Sequence, residues 1–206
     1  MINVEKICVG NLGANCYIVY NEKDMVVIDA GDNSDMLINV IDKINIKPSL
    51  VLLTHAHADH FGAASALKDN YKCEICIGEN DLQMLKDAET SLANYIGNNK
   101  NQYIIDDARP LKNGEVICVG NIKIKVVETK GHTAGGVTFE IEDMLFTGDT
   151  LFNGNVGRTD FYSGSYEEIL QSVKYLAENY PNHKVFCGHG DDTTMQEEIK
   201  NNPYIR

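Results

Sequence analysis

No stretch of the 206-residue chain approaches the roughly 20 consecutive apolar residues of a membrane span, although 43% of its residues are hydrophobic. Positive charge is also scarce. The chain has 18 Lys and Arg against 30 Asp and Glu, a formal net charge of −12. That balance argues against non-specific binding to nucleic acid or to an anionic membrane. It leaves an anionic substrate open, because a bound dication can dominate its own neighbourhood. The opening MINVEKICVGN has no basic run followed by an apolar segment, so no secretory leader is expected. The six cysteines are scattered, which then reads as free thiols in a reducing cytoplasm rather than a disulfide framework. No linker, low-complexity segment or solenoid-period repeat interrupts residues 1–206, which are read as one domain.

What is present alternates between apolar runs and helical patterns. INVEKICV, NCYIVY and DMVVIDAGD read as strands separated by Gly/Asn turns. A helix follows over residues 34–46, ended by Lys47-Pro48. SLVLLT reads as a buried strand, HFGAASALKD as a helix, CEICIG as a strand and ENDLQMLKDAET as helical. Residues 91–113 are polar and irregular, a candidate loop over a site. EVICV, IKIKVVET, GVTFEI and MLFTGD read as strands, then come a helix over 165–179, the strand KVFCGHG and a last helix near 194–201. Two similar halves of strands and helices imply two sheets with outer helices.

The chemistry is concentrated where apolar strands stop. LLTHAHADHFG carries His55, His57, Asp59 and His60 directly after SLVLLT. Two residues apart in extended chain, His55 and His57 point the same way and can share a metal. Asp59 and His60 are expected to begin the next helix and to face a second one. A lone histidine is usually a surface or satisfied core residue, as His183 in the polar turn PNHK suggests. Three imidazoles and a carboxylate at a buried strand end need partners, and a metal supplies them. His132 in ETKGHTAGG, Asp149 in LFTGDT and His189 in FCGHGDD also follow apolar strands and stand beside glycine.

HAHADH, GHTAGG, GDT and GHG, in that order after NCYIVY and MVVIDAG, resemble the motifs of the metallo-β-lactamase fold superfamily. The resemblance covers essentially the whole chain. It implies an α/β fold, a four-layer αβ/βα sandwich of two mixed β-sheets with helices outside. It also implies two divalent metal ions along one edge of that sandwich. Carried over motif by motif, His55, His57 and His132 would hold the first ion and Asp59, His60 and His189 the second, with Asp149 bridging. Imidazole and carboxylate suit zinc first, with iron or manganese also accommodated. Asp29 in IDAG matches a position that supports the site from behind the ligands, or is simply a turn residue after a strand.

Within the superfamily, true β-lactamases commonly carry cysteine at the position of Asp149 and lack a histidine at that of His60. Flavodiiron proteins have Glu in place of His57, and RNA-processing members add domains. FNGNVGRTDFYSGS, residues 152–165, resembles a loop of short glyoxalase II-like hydrolases and of persulfide dioxygenases. Full-length glyoxalase II adds a C-terminal helical domain that helps hold glutathione; no such domain is expected here, so the thiol carrier stays open.

The resemblance implies hydrolysis of a hydroxyacyl thioester, such as S-lactoylglutathione, by a metal-bridging hydroxide, with Asp59 orienting the nucleophile. A thiol with pKa about 8.5 leaves as thiolate, whereas an amine needs a proton, and the motifs hold no spare acid. The expected partner is thus a small-molecule thioester, with no nucleic acid and no membrane. The alternative is a mononuclear iron persulfide dioxygenase using His55, His132 and Asp149. Arg158 in the GRTDF loop is a candidate for binding substrate anions, or an ion-pair partner of Asp160. Lys130 reads as a surface lysine. Cys73 and Cys76 form a CxxC that strand alternation would split between two faces. Tyr95 and Tyr103 fall near the candidate loop, where aromatics more often pack than bind. The glycines of GHTAGG lack the lysine and serine of a P-loop.

Overall fold

The computed structural model describes residues 1–96 and 103–206. Its first sheet has six strands in the order β1 (Asn3–Val9), β2 (Ala14–Tyr20), β3 (Met25–Ile28), β4 (Leu50–Leu53), β5 (Glu74–Gly78) and β6 (Arg109–Leu111). β1 pairs with β2 and β2 with β3 antiparallel, and β3 through β6 are parallel. The second sheet contains β7 (Val116–Val119), β8 (Ile122–Glu128), β9 (Val137–Ile141) and β10 (Met144–Gly148). After a two-stranded ribbon, β11 (Leu151–Phe152) and β12 (Asn155–Val156), it is completed by β13 (Lys184–Cys187) and β14 (Thr193–Thr194). Only β10 and β13 pair in parallel there. Both sheets are mixed, as the motifs imply.

Burial explains the patterning. MVVI, LVLL and MLFTG are buried at every position because layers cover both faces of these strands. Alternate residues therefore enter different cores. Val27, Val51 and Ile75 pack with Leu37, Ile41 and Leu67 beneath α1 (Ser34–Ile44) and α2 (Ala64–Tyr71). Val26, Leu52 and Cys76 face Ile124, Phe139 and Phe146 of the other sheet. Leu145 and Val185 pack outward with Val173, Leu176 and Met195. Those last three belong to α4 (Tyr166–Asn179) and α5 (Met195–Asn201), below which the second sheet lies. The order is helices, sheet, sheet, helices. Cys73 and Cys76 indeed enter different cores, and all six cysteines are free.

Several local expectations change. α1 stops at Ile44, before Pro48, because Asn45 takes a left-handed conformation (φ 62°) and its N–H bonds back to the last turn. Asp59 and His60 do not begin α2. They form a separate 3₁₀ turn over Ala58–His60, and α2 starts four residues later. ENDLQMLKDAET is not an α-helix but two 3₁₀ turns, Glu79–Asp81 and Met84–Lys86, because the Asp81 side chain bonds to other loops. Within 91–113 lie a four-residue helix, α3 (Ala93–Ile96), and β6, with residues 97–102 outside the described range. Pro110 is tolerated in β6 because that strand is at the edge of the sheet. The ribbon β11–β12 and β14 are too short to show a sequence period.

This topology makes the site edge. β3 and β4 run parallel, as do β10 and β13, so their C-terminal ends share one side of each sheet. β8 runs with β10, two antiparallel steps away. Backbone bonds join the sheets there, from Val137 N–H to the Thr54 carbonyl (2.8 Å) and from Asn15 N–H to the Gly188 carbonyl (2.7 Å). Phe146 sits between the sheets, stacked on Phe186 at 4.8 Å and met edge-on by Tyr17 at 5.3 Å. Phe146→Ala should cost about 3–5 kcal/mol in denaturant unfolding. A loss under about 1 kcal/mol would contradict this packing.

Candidate metal centre

Each candidate ligand follows a strand of that shared edge. His55 and His57 leave β4, Asp59 and His60 occupy the 3₁₀ turn, His132 follows β8, Asp149 follows β10 and His189 follows β13. All seven come together. Three groups have ligand atoms within 4.8 Å of one another: His55, His57 and His132; His55, His60 and Asp149; and Asp59, His60 and His189. Asp149 stands between the two outer groups. Its Oδ1 is 3.3 Å from His60 Nε2, and its Oδ2 is 3.5 Å from His132 Nε2 and 3.6 Å from His189 Nε2. Asp59 Oδ2 lies 3.3 Å from His189 Nε2. Close approach is permitted by Gly188, where an added Cβ would collide with Asp149 Oδ1.

Hydrogen bonds behind the rings decide which nitrogen faces inward. Asp29 is buried, and its carboxylate can only accept. It takes Thr54 N–H (2.8 Å) and the Thr54 hydroxyl (2.7 Å). The hydroxyl oxygen must then accept from His55 Nδ1–H (3.0 Å), which turns the bare Nε2 lone pair inward. Asp29 Oδ2 also accepts from His60 Nδ1–H (2.9 Å), aiming Nε2 at His189 and Asp149. His132 Nδ1–H donates to the Arg158 carbonyl (2.7 Å), so its Nε2 faces His57 Nδ1 at 2.8 Å. Asp29 therefore supports the site from behind the ligands.

These atoms fit a cation. His55 Nε2 is buried and has no hydrogen-bond partner. Asp149 Oδ1, despite its nearness to His60, accepts no bond of proper geometry. Buried lone pairs without donors are costly, and a dication satisfies them. Electrostatics agree. Burial holds His57 down to about 3 and puts His55 well below the usual range, so both rings are neutral. Burial opposes charge on His60 too, yet Asp149, Asp59 and Asp29 override it and hold its pKa well above the usual value. His189 is likewise raised, against burial, by Asp59 and Asp149. For Asp149 and Asp59, burial is outweighed chiefly by His60, and both stay carboxylates. Protons on the second group thus balance the carboxylates that a metal would otherwise neutralise.

The site forms the floor of a cavity of about 920 Å³. Leu12, Leu92, Tyr95, Ile96, Phe161 and Tyr162 give it an apolar wall, with Glu89, Arg158 and Asp160 among them. Arg158 lines the cavity, but its guanidinium is paired twice with Asp160 (both 2.7 Å) and lies over the Phe161 ring at 4.0 Å. Its contact with the candidate ligands is through its carbonyl. Lys130 is paired with Glu128, and His183 lies against Glu140 and Tyr180, apart from the site. Tyr95 is exposed at the cavity wall, whereas Tyr103 is buried against Phe61.

One residue escaped the sequence reading. Asp81 is fully buried at the end of β5 and accepts from Ala56 N–H (3.1 Å), the Thr133 hydroxyl (2.7 Å) and Gly135 N–H (2.7 Å). Its only signal was an acidic residue just past an apolar strand, which the helical reading of ENDLQ absorbed.

The profile described as Metallo-beta-lactamase superfamily matches residues 9–189. The chain belongs to the metallo-beta-lactamase superfamily. It is 32% identical to the hydroxyacylglutathione hydrolase GloC of Haemophilus influenzae, over 99% of this chain and 98% of that one. Among solved members, the protein described as BLEG-1 B3 metallo-beta-lactamase superposes with a TM-score of 0.90 at 29% identity, covering 100% and 99% of the two chains. TTHA1623, solved in a di-iron-bound form, superposes at 0.87 with 30% identity, over 98% and 100%. Superfamily membership, with the clustered imidazoles and carboxylates, supports the use of divalent metal.

The protonation pattern has a measurable consequence. His60 and His189 hold protons above the ordinary histidine range, and a metal must displace them, while His55 and His57 have none to give at pH 7. Metal affinity should therefore rise with pH, and loading at pH 7 should release roughly one to two protons per chain from these two rings. Titration calorimetry in buffers of different ionisation enthalpy reads this directly. Buffer-independent heats would contradict it.

Proposed function

We propose that the chain is a binuclear metallohydrolase of hydroxyacyl thioesters. His55, His57 and His132 would hold one ion and Asp59, His60 and His189 the other, with Asp149 available to both. The convergence of all seven donor groups, five of them lining the cavity and His55 and His60 buried behind it, with the bare lone pairs of His55 and Asp149, carries this reading. The ligand chemistry suits zinc, and iron as well, in keeping with the di-iron form of TTHA1623. Bound there, the ions supply a Lewis acid for the carbonyl and a water acidified from about 15.7 to about 7.

The protein's own groups do the rest. Asp59, a carboxylate beside His60 and His189, would orient the attacking water and accept its proton. The apolar wall offers a surface against which an acyl group could pack. Among the described residues of that wall, both carboxylates are already engaged. Asp160 is held near 2 by Arg158, and Glu89 accepts from Asn94 and the Tyr95 hydroxyl. A thiolate needs no proton to leave, which supports thioester over amide. The kinship with GloC supports the same class, with the thiol carrier left to experiment.

The test is a substrate panel on zinc- and iron-loaded protein: S-lactoylglutathione, the lactoyl thioester of N-acetylcysteamine, a chromogenic β-lactam, and glutathione persulfide with oxygen. Thiol release from at least one thioester is expected, with no oxygen uptake. Asp59→Asn should lower kcat about 100-fold or more at metal saturation. Turnover of the β-lactam alone would move the chain to the activity in BLEG-1's description. Oxygen consumption without thioester turnover would make it a dioxygenase.

A further inference from the structure

The two metal positions are held by different cross-sheet clamps. Asp81 lies in the 3₁₀ turn after β5 of the first sheet, and its three acceptor bonds reach one loop that follows a strand of each sheet. Ala56, whose N–H it holds, is the residue between His55 and His57. Thr133 and Gly135, which it also holds, follow His132. One carboxylate therefore ties together the two segments that supply the three imidazoles of the first group. It touches none of Asp59, His60 or His189. Their side has its own anchor. Asn15, buried on β2, donates its amide to the carbonyls of Cys187 (2.9 Å) and Gly190 (3.0 Å), on either side of His189. Tyr17 adds a hydroxyl bond to the Cys187 carbonyl (2.6 Å).

We infer that Asp81 is a positioning residue for the first metal alone, setting the spacing of His55, His57 and His132, while Asn15 serves the second. The inference rests on the binuclear reading above. A carboxylate is required because all three partners donate. Oδ2 accepts from both Ala56 and Thr133, and Oδ1 accepts from Gly135. An asparagine amide nitrogen would meet N–H or O–H with N–H. The cleft is too tight for a longer side chain, since a Cβ added at Gly135 would collide with Asp81. Outer groups that orient ligands typically change metal affinity 10–100-fold.

The experiment titrates metal-free protein with cobalt(II), followed by its visible bands and chelator competition. Wild type should show two binding steps, and the absence of both would sink the binuclear reading itself. Asp81→Asn should weaken one step about 10–100-fold and leave the other unchanged. In a His189→Ala background, which keeps the first site, Asp81→Asn should cost the same factor. In a His132→Ala background, which keeps the second, it should cost nothing. Asn15→Ala should show the reverse pattern. Thr133→Val, which removes one of the three bonds, covers the case in which Asp81→Asn does not fold. It should weaken the same step by a smaller factor. Equal weakening of both steps means general loosening of the fold and overturns the assignment, as does no weakening of either.

Discussion

The buried carboxylate of Asp29 is the contact from which the site is hung. Three donors converge on it, from Thr54 N–H, the Thr54 hydroxyl and His60 Nδ1. Because a carboxylate only accepts, the direction of every bond beyond it is fixed. Thr54 must receive from His55, whose bare Nε2 then turns to the same space as the Nε2 of His60. The backbone at Asp29 is bent to suit, with φ 54°, a left-handed conformation that aspartate tolerates better than most residues. A turn after a strand and the ring orientations of two candidate ligands are thus one physical arrangement.

That arrangement depends on two sheets meeting along one edge. Strands of like direction deliver their C-terminal ends together, so segments distant in sequence converge without a dedicated metal-binding loop. The same edge must stay aligned to fractions of an ångström for donor atoms to share an ion. Direct backbone bonds between the sheets, and buried side chains such as Asp81 and Asn15, provide that alignment. The layers behind are apolar and fully packed, which is the stiff support a metal site needs.

How much of this is legible in the sequence follows from what kind of signal each part leaves. Fully buried strands such as LVLL and MLFTG announce themselves as continuous apolar runs, and the histidines just past them stand out because imidazole is out of place there. The four layers and the convergence of the seven groups follow from that pattern and the superfamily resemblance. Elements ruled by a single tertiary bond were not legible. ENDLQMLKDAET has helical composition, yet Asp81 gives its side chain to two other loops and the segment tightens into 3₁₀ turns. β6 carries a proline that argues against a strand until its edge position is known. Arg158 could be read from its loop either as an anion-binding group or as the ion-pair partner of Asp160, and spacing alone could not decide; Asp160 takes up its guanidinium.

The central claim is that the edge binds two metal ions through imidazole and carboxylate. Elemental analysis of protein purified without added metal, repeated after reloading with zinc or iron, tests it most directly. The account requires about two ions per chain, falling to about one when His132 or His189 is replaced by alanine. Protein that stays metal-free after reloading, or that never exceeds one ion per chain, would contradict it.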